Sequence, residues 1–520
     1  MHWAYKIAEE LINKYPDKEN FVCASGISPS GSIHIGNFRE VITTYFVVKA
    51  LRKLGKRARF IFSWDDYDRF RKVPKNIDQS FEQYIGKPYS EIPDPYGCHG
   101  SYAEHFEKEF EKSLDVFGIE AEFIYQSKEY RSGRYNRHIL HALKKRKEIY
   151  DILMEFKTQE SSEEDRNAFY PITLYCDDCG KDNINTISFE EEKESIQYTC
   201  KCGNDSIVNV MDAKNIKLNW KIDWPMRWMV EDVIFEPGGR DHSSATGSYN
   251  VSKEIARRIF NYSEPDYVAY EFIGIKGSNT KMSSSLGNII TPDELLKIYL
   301  PEIILFIFSK YKPGSAFNIG LDEDVIRNYS EYERFKTKYL KGALGDEDLS
   351  YSMELSEIDD EISTVPKFNQ VAGVLPLINF DTQILKDILN KIGEEYELSN
   401  IKKISDRVEY WTKNWYTEKM ISLNTSKDTE YYETLDDLQR KWLADLCIVI
   451  ENSQNLGNDE LMKRIYDVCY DDDKKVKRNN QKVLFAIVYR LILNSNSGPR
   501  LSLLIKTLGI EKTLALLGFN

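Results

Sequence analysis

The chain has little cysteine, little proline and no excess of positive charge. Its 520 residues include 8 cysteines and 16 prolines, and cysteines this sparse exclude a disulfide scaffold. The 70 Lys and Arg residues stand against 83 Asp and Glu residues, so the formal net charge is -13. That balance excludes a protein that holds nucleic acid through bulk positive charge. Any contact with nucleic acid must therefore be local.

The sequence also lacks a long apolar run. No stretch reaches the ~18 to 20 residues that a membrane-spanning helix needs, and the first residues lack the apolar segment of a signal peptide. We therefore expect a cytoplasmic protein with no membrane partner. Because 42% of the residues are apolar, the chain can bury several cores, and its length predicts two to four domains. The sequence does not determine the oligomeric state, although a monomer is favoured.

Short β-rich runs alternate with amphipathic stretches over residues 1–290. This pattern predicts an α/β fold with a doubly wound parallel sheet, which is a Rossmann-like nucleotide-binding domain. The predicted strands are residues 21–25, 58–64, 121–125 and 267–273. A charged stretch at about 130–218 carries a cysteine cluster and is interpreted as a zinc-binding insertion. From 291 to 520 helical periodicity dominates, for example over 501–517, and predicts an all-α C-terminal region.

The most informative motif is residues 25–37, Ser-Gly-Ile-Ser-Pro-Ser-Gly-Ser-Ile-His-Ile-Gly-Asn. It leaves the first predicted strand, turns through glycine and proline, and opens a helix whose N-terminus attracts anions. His34 can donate a hydrogen bond to a phosphoryl oxygen, and Gly36 lets a flat base approach the backbone. The candidate nucleotide-binding residues here are Pro29, Ser30, Gly31, His34, Gly36 and Asn37. An ordinary strand-turn-helix is the alternative interpretation.

A second motif covers residues 276–288, Lys-Gly-Ser-Asn-Thr-Lys-Met-Ser-Ser-Ser-Leu-Gly-Asn. Its small residues predict a mobile loop. A lysine among hydroxyl groups can close over a triphosphate and neutralise the charge that develops as pyrophosphate leaves. The candidate residues are Lys281, Met282, Ser283, Ser284 and Ser285. The alternative is a serine-rich loop with an incidental lysine.

A third motif covers residues 236–242, Glu-Pro-Gly-Gly-Arg-Asp-His, in which two glycines precede a carboxylate. Gly239 allows close approach of a ligand to the backbone. Asp241 can hold the hydroxyl groups of a ribose. The alternative is a turn that Asp241 caps.

Four of the eight cysteines form a metal-binding pattern. They are Cys176, Cys179, Cys200 and Cys202, and a glycine follows each pair. This spacing is typical of a four-thiolate zinc site, which leaves no open position, so Zn2+ would stabilise the insertion and perform no chemistry. Unpaired reduced cysteines are the alternative.

A second, weaker cluster combines one carboxylate, one thiol and two imidazoles. Its members are Asp94, Cys98, His99 and His105. These four side chains could complete a tetrahedral metal site. The alternative is a set of turn and core residues.

The two nucleotide-binding motifs together resemble the signatures of class I aminoacyl-tRNA synthetases. Residues 34–37 (His-Ile-Gly-Asn) are similar to His-Ile-Gly-His, and residues 281–285 (Lys-Met-Ser-Ser-Ser) are similar to Lys-Met-Ser-Lys-Ser. The departures at Asn37 and Ser284 mean that Lys281 must act without a second loop cation.

The residues around these motifs resemble class I lysyl-tRNA synthetases in particular. The similar stretches are residues 26–31, 64–74 and 238–242. The likeness covers residues 1 to about 290, and the helical remainder is consistent with the anticodon-binding region of that family. The family pattern also suggests a metal site in the cluster around Cys98.

This resemblance implies a lysine-tRNA ligase. Such an enzyme uses ATP and Mg2+ to convert L-lysine to lysyl-adenylate and then transfers lysine to tRNA(Lys). The resemblance implies that His34 and Lys281 stabilise the phosphoryl transition state, assisted by the hydroxyls of Ser283 and Ser284. It also implies that the glycines near Asp241 form the second nucleotide-binding strand end, with Asp241 on the ribose.

A lysine substrate needs an aromatic face or a carboxylate for its ammonium group. The candidate residues for this pocket are Asp65, Asp66, Trp220, Asp223 and His242. For each of them a structural role, in the core or as a turn cap, explains the sequence about equally well.

Two other functions stay open. One is a class I synthetase of another specificity, of which a glutamyl-like enzyme is the nearest, because the signatures define adenylation and not the side chain recognised. The other is an inactive synthetase-like tRNA-binding protein, although the presence of both His34 and Lys281 argues against it.

Overall fold

A computed structural model describes residues 1–157, 162–277, 289–358, 364–417 and 423–519. The chain divides into two compact units. The first contains Met1–Leu296, Leu300–Ile319 and Lys338–Ile358, and the second contains Lys297–Tyr299, Gly320–Thr337 and the described residues from 364 onward. Residues 300–319 and 338–358, which lie in the predicted helical region, thus belong to the first unit.

A four-stranded parallel sheet forms the centre of the first unit. Its strands are β1 (Asn20–Ile27), β2 (Arg57–Trp64), β3 (Glu122–Tyr125) and β9 (Val233–Phe235), in the spatial order β3-β2-β1-β9. Successive parallel strands need a crossover, and helix α2 (Ile35–Lys53) connects β1 to β2. The parallel α/β fold is therefore confirmed.

The apolar composition of β1 and α2 explains this arrangement. Residues 21–25 of β1 are all buried, as expected for a central strand of a parallel sheet with both faces covered. Helix α2 is buried over most of its length, from Ile35 to Leu51. Ser25 and Thr44 join the two elements through a hydroxyl-hydroxyl hydrogen bond of 2.7 Å.

The remaining strands are short and lie in four small sheets. Their bounds are β4 (Ile172–Leu174), β5 (Ile184–Glu190), β6 (Ser195–Cys200), β7 (Asp205–Asn209), β8 (Ile216–Leu218), β10 (Gly238–Gly239), β11 (Ala269–Tyr270), β12 (Ile273–Ile275) and β13 (Phe317–Ile319). The pairs β10-β11 and β12-β13 are parallel. The single strand predicted over 267–273 is thus divided between β11 and β12, which pair with different partners.

The insertion is built from antiparallel strands. β4 pairs with β8, and β5-β6-β7 form a three-stranded sheet. Two glycines at the cysteine end of this small sheet, Gly180 with φ 69° before β5 and Gly203 with φ 97° between β6 and β7, adopt the left-handed conformation that glycine tolerates best.

Helices surround the sheet of the first unit and dominate the second unit. Up to residue 310 they are α1 (Trp3–Lys14), α2, α3 (Tyr102–Val116), α4 (Gln126–Arg131), α5 (Asn136–Lys144), α6 (Arg146–Glu155), α7 (Glu163–Ala168), α8 (Trp220–Glu231), α9 (Ser248–Arg258), α10 (Pro292–Leu296) and α11 (Pro301–Lys310). Short 3-10 helices lie at Gln79–Tyr84, Tyr89–Glu91, Arg240–His242 and Leu375–Ile378.

The later helices are α12 (Asp324–Leu340), α13 (Glu347–Ser356), α14 (Phe368–Val374), α15 (Thr382–Lys391), α16 (Leu398–Asn414), α17 (Thr429–Glu433), α18 (Asp437–Glu451), α19 (Asn458–Asp467), α20 (Lys474–Leu493), α21 (Leu501–Leu508) and α22 (Ile510–Leu517). Leu446, Leu484 and Leu504 belong to one buried apolar cluster of the second unit. Among the described helices, none combines the length and apolar character that crossing a membrane requires.

Candidate active site and metal centres

The turn between β1 and α2 holds His34 at the start of the helix. The His34 Nδ1 accepts hydrogen bonds from the backbone N–H of Gly36 at 3.0 Å and of Asn37 at 3.3 Å. Because Nδ1 acts as the acceptor, the proton of the neutral ring lies on Nε2, which can donate to a phosphoryl oxygen. A Cβ on Gly36 would lie 2.8 Å from His34 Cε1, so glycine at this position keeps the histidine in place.

A glutamate that the sequence interpretation missed lies beside this turn. Glu40 Oε1 accepts a hydrogen bond from the backbone N–H of Gly26 at 3.1 Å, and Oε2 accepts one from the Tyr270 hydroxyl at 2.8 Å. Burial raises the pKa of Glu40 to about 8, against the two hydrogen bonds that favour the carboxylate. Among the residues that the structure describes, no lysine or arginine pairs with Glu40. Glu40 is the only acidic residue of α2. A single carboxylate in a mostly buried helix was the one feature of the sequence that could have indicated a functional role.

The end of β9 is followed by a buried glutamate, Glu236, and two glycines. Trp228 Nε1 donates to Glu236 Oε2 at 2.6 Å, and burial raises the pKa of Glu236 to about 7. A Cβ on Gly238 would lie 2.4 Å from the Tyr267 hydroxyl oxygen, so this strand end requires glycine. Asp241, the predicted ribose ligand, is exposed in the 3-10 helix that follows.

Helix α8 brings two of the predicted substrate residues together around Trp224. The rings of Trp220 and Trp224 stack with their centroids 5.0 Å apart, and Trp224 lies 5.9 Å from the His242 ring in an edge-on contact. The Arg227 guanidinium lies 5.3 Å from the Trp220 ring. Trp220 and Gly26 line the same small cavity at the ends of the strands, so this aromatic group lies close to the turn that follows β1.

The predicted carboxylates Asp65 and Asp223 face cations of the chain itself. Arg227 lies 2.8 Å from Asp65 Oδ1 and 3.2 Å from Asp223 Oδ2. Lys217 Nζ lies 3.5 Å from Asp223 Oδ2 and also contacts Asp68. Asp65, Asp223, Lys217 and Arg227 are buried, and a charge that is buried requires such a partner. This network neutralises both carboxylates without a ligand.

Within the described stretches of the chain, Asp66 forms no ion pair. It accepts hydrogen bonds from the backbone N–H of Ser127 at 2.7 Å and from the Ser127 hydroxyl. Burial raises the pKa of Asp66 to about 6 despite these two donors. These contacts fix the start of α4 to the end of β2.

The four cysteines of the insertion lie together. Their sulfur atoms are all within 4.8 Å of one another, and the Cys176–Cys202 and Cys179–Cys200 sulfur pairs are each 3.7 Å apart. A tetrahedron with metal–sulfur distances of ~2.3 Å has edges of about 3.8 Å. The cluster therefore fits a tetrahedral metal ion such as Zn2+, and Asn204 Nδ2 donates to Cys176 Sγ at 3.3 Å.

The second predicted cluster also lies together. Cys98 Sγ lies 3.2 Å from His99 Nδ1 and 3.3 Å from His105 Nδ1, and Asp94 Oδ1 lies 3.3 Å from His105 Nδ1. Burial disfavours the charge of Asp94, but hydrogen bonds from nearby backbone N–H groups outweigh it and lower its pKa to about 2. One oxygen, one sulfur and two nitrogens form a donor set that zinc accepts.

The predicted catalytic loop is not part of the described chain. Lys281, Met282, Ser283, Ser284 and Ser285 lie outside the described residues. The described chain ends before the loop at Gly277 and resumes at residue 289. Ile290 then contacts the motif turn, since its carbonyl accepts from the backbone N–H of Ile35 at 2.9 Å.

A parallel sheet with a histidine-glycine turn at one strand end and two glycines at the end of the neighbouring strand defines a nucleotide-binding α/β protein of the Rossmann type. The family model described as tRNA synthetases class I (K) matches residues 1–359. The chain belongs to this family. The resemblance inferred from the two signature motifs is therefore confirmed.

Curated relatives extend the similarity to nearly the whole chain. A lysine-tRNA ligase of Thermococcus kodakarensis is 35% identical over 524 residues, covering 98% of this chain and 98% of the relative. A lysine-tRNA ligase of Borrelia garinii subsp. bavariensis is 35% identical over 528 residues with the same coverage of both chains. Among solved structures, a glutamate tRNA ligase from Elizabethkingia meningosepticum is 12% identical, covers 96% of this chain and 99% of its own, and has a TM-score of 0.46.

Proposed function

We propose that this chain is a lysine-tRNA ligase that activates L-lysine with ATP and transfers the lysyl group to tRNA(Lys). The observation that carries this proposal is its similarity to curated lysine-tRNA ligases over 98% of its length. The geometry supports it, because the turn after β1, a partly buried carboxylate that no described lysine or arginine pairs with, and an aromatic group lie near the ends of the same parallel strands.

The turn after β1 and the end of β9 would hold ATP. The proposed contacts of the turn are Pro29, Ser30, Gly31, His34, Gly36 and Asn37, with Gly239 and Asp241 at the ribose. The lysine carboxylate would attack the α-phosphorus in line and expel pyrophosphate, a step in which positioning and charge neutralisation dominate. His34 would donate from Nε2 to the phosphoryl oxygen.

The loop would supply the remaining charge. Lys281, with the hydroxyls of Ser283 and Ser284, would stabilise the leaving pyrophosphate, and Met282 and Ser285 complete the proposed ATP contacts. Mg2+, when bound, screens the charge of the triphosphate. Removing positive charge from such a site slows phosphoryl transfer and leaves the fold intact.

Glu40 is the group best placed to receive the ammonium of the lysine side chain. It lacks a cation among the described residues, and Tyr270 and Gly26 hold its two oxygens. Trp220 offers an aromatic face for the aliphatic part of the substrate, with His242 nearby through Trp224. Asp65 and Asp223 would then support the pocket by orienting Arg227 beneath Trp220.

Zn2+ would occupy the four-cysteine cluster and also the cluster of Asp94, Cys98, His99 and His105. Each cluster supplies four donor side chains, which fill a tetrahedral coordination shell, so both ions would have structural roles.

The helical second unit would bind the anticodon, where unstacked bases are held by aromatic side chains and hydrogen bonds. A cytoplasmic location and a monomeric state complete the proposal.

Exchange of radioactive pyrophosphate into ATP tests this function directly. The purified protein is assayed with each of the twenty amino acids, with and without total tRNA. Exchange with lysine alone supports the proposal. Exchange with glutamate would show that the protein is a class I synthetase of glutamyl-like specificity. Binding of tRNA without exchange for any amino acid would favour an inactive tRNA-binding protein.

A further inference from the structure

A cavity of about 320 Å³ lies beside the turn that follows β1. Its lining includes Ser28, Ser30, Arg69, Arg71, Lys72 and Tyr89. Three of these six residues are cationic. A cavity of this size is at the lower end of the range for small-ligand sites, which is ~300 to 1,000 Å³.

The charge of this cavity is positive after the local ion pairs are taken into account. Asp68, the acidic residue of the lining, contacts the buried ammonium group of Lys217. Arg69 Nε lies 3.1 Å from Asp182 Oδ2. Within the described parts of the chain, the exposed Arg71 forms no ion pair. Its guanidinium is therefore available to a phosphate, which arginine binds in a bidentate geometry.

The backbone that carries these cations is fixed in place. The Phe70 backbone N–H donates to the Lys87 carbonyl at 2.7 Å, and the Gly86 N–H donates to the Phe70 carbonyl at 3.0 Å. The Phe70 ring is buried in a small apolar cluster with Tyr89 and Tyr102. A site whose support is already ordered binds its ligand at a lower entropic cost.

The same cluster connects the cavity to the motif turn. The rings of Tyr89 and Tyr102 stack with centroids 5.7 Å apart, and the Tyr102 hydroxyl donates to the Ser30 carbonyl at 2.9 Å. The cavity is thus held against one side of the turn. The residues that start α2, His34 and Gly36, do not line it. Ser30, one of the proposed ATP contacts, does line it, so the cavity adjoins the proposed ATP site without including His34 or Gly36.

We propose that this cavity binds a phosphate of the tRNA acceptor end, with Arg71 as its contact. The inference rests on the proposed function, because the 3′-terminal ribose of tRNA must reach the adenylate at the ends of these strands. A backbone phosphate held in a preorganised cationic cavity next to the turn positions that ribose and contributes affinity independent of base identity.

Binding of a tRNA(Lys) transcript to the full-length Arg71→Ala and Arg71→Gln variants tests this proposal. We expect the Kd to rise roughly tenfold and the slope of log K against log salt concentration to fall by about 1, as for the loss of one phosphate contact. Lys75→Ala is the matched control, because Lys75 is an exposed cation of the same segment that does not line the cavity. Its Kd should stay at the wild-type value.

A transcript that lacks the 3′-terminal CCA nucleotides locates the contact. If the cavity holds the acceptor end, Arg71→Ala weakens binding of the intact transcript and has no effect on the truncated one. Equal weakening of both transcripts would place the contact elsewhere on tRNA. A loss of ATP affinity would assign the cavity to ATP, and unchanged binding in every assay would show that no phosphate is held there. Each of these three results overturns the proposal.

The amino-acid specificity of the wild-type protein is measured separately, by pyrophosphate exchange. An enzyme that activates another amino acid would refute the proposed function. The comparison of intact and truncated transcripts, made then with the tRNA for that amino acid, would still decide the role of Arg71.

Discussion

The Tyr270 hydroxyl donates a hydrogen bond of 2.8 Å to Glu40 Oε2, although the two residues are 230 positions apart in the chain. Together with the backbone N–H of Gly26, Tyr270 holds a carboxylate in a site where burial raises its pKa to about 8. Two donors orient this carboxylate but do not neutralise it. A ligand with an ammonium group would complete the site.

Replacing Glu40 with Gln should weaken lysine binding and remove its pH dependence. Because the pKa of Glu40 is about 8 without a ligand, a lysine ammonium must displace a proton below that pH. The lysine Kd of the wild-type protein should therefore rise by up to about tenfold for each pH unit below 8. Equilibrium dialysis with lysine from pH 6 to 9 measures both effects.

The same substitution has an expected effect on stability that serves as a second test. The pKa of Glu40 is higher in the folded protein, about 8, than its ordinary value of 4.5, so stability falls as the pH rises from 4.5 through 8. Glu40→Gln should gain stability relative to wild type across that range. Substitution of the exposed Glu19 by Gln is the control for the stability measurement. In the binding experiment, a wild-type lysine Kd that does not change between pH 6 and 9 would show that Glu40 does not bind the ammonium group.

Replacing Lys281 with Ala should reduce adenylate formation by two or more orders of magnitude. The reason is the loss of a cation that neutralises the leaving pyrophosphate, an effect of about 10²- to 10³-fold for a single electrostatic contact. Thermal unfolding should change little. Pyrophosphate exchange measures the rate, and Lys281→Arg, which keeps the charge, should retain part of it. Exchange at the wild-type rate in Lys281→Ala would end this assignment.

The features that could be predicted are those determined by residues close together in the sequence. β1 follows from a continuous apolar run bounded by turn residues, and the four-cysteine cluster follows from two short spacings. The role of Glu40 could not be predicted, because it depends on Tyr270, which a different strand brings close. In the same way, Asp65 forms an ion pair with Arg227 only because α8 packs against the sheet, so this ion pair could not be predicted from the sequence.

Local breaks in regular structure were harder to predict. The apolar periodicity of residues 501–517 predicts one helix, but the structure has α21 and α22, separated at Gly509 with φ 82°. Periodicity continues across such a break because both helices present apolar residues to the same core. Gly509 is a residue type that commonly ends a helix, and the apolar periodicity obscured this indication of a break.

Cys176→Ser should remove one metal ion and destabilise the insertion. Three thiolates and a hydroxyl bind zinc more weakly than four thiolates, and the folding of the small sheet β5-β6-β7 is linked to metal binding. Elemental analysis should find one zinc fewer per chain than in wild type, while ATP affinity persists. Cys447→Ser is the matched control, because Cys447 lies outside both clusters. A wild-type protein without zinc would refute the site.

Asp223→Asn should reduce the free energy of unfolding by about 3 kcal/mol, since removing one partner of a buried ion pair leaves the other charge uncompensated. Asp223 is fully buried between Arg227 and Lys217, and it also accepts a hydrogen bond from the Tyr130 hydroxyl. Urea unfolding measures the loss. The exposed Asp212→Asn should stay within about 0.5 kcal/mol of wild type.

The lysine KM of Asp223→Asn separates its structural role from a direct contact with substrate. If Asp223 acts by orienting Arg227 under Trp220, the variant loses stability and its lysine KM rises only modestly, far less than in Glu40→Gln. If Asp223 itself bound the ammonium group, the lysine KM would rise as much as in Glu40→Gln. That second result would move the ammonium site from Glu40 to the network around Arg227, because a single ammonium group cannot be held at both carboxylates.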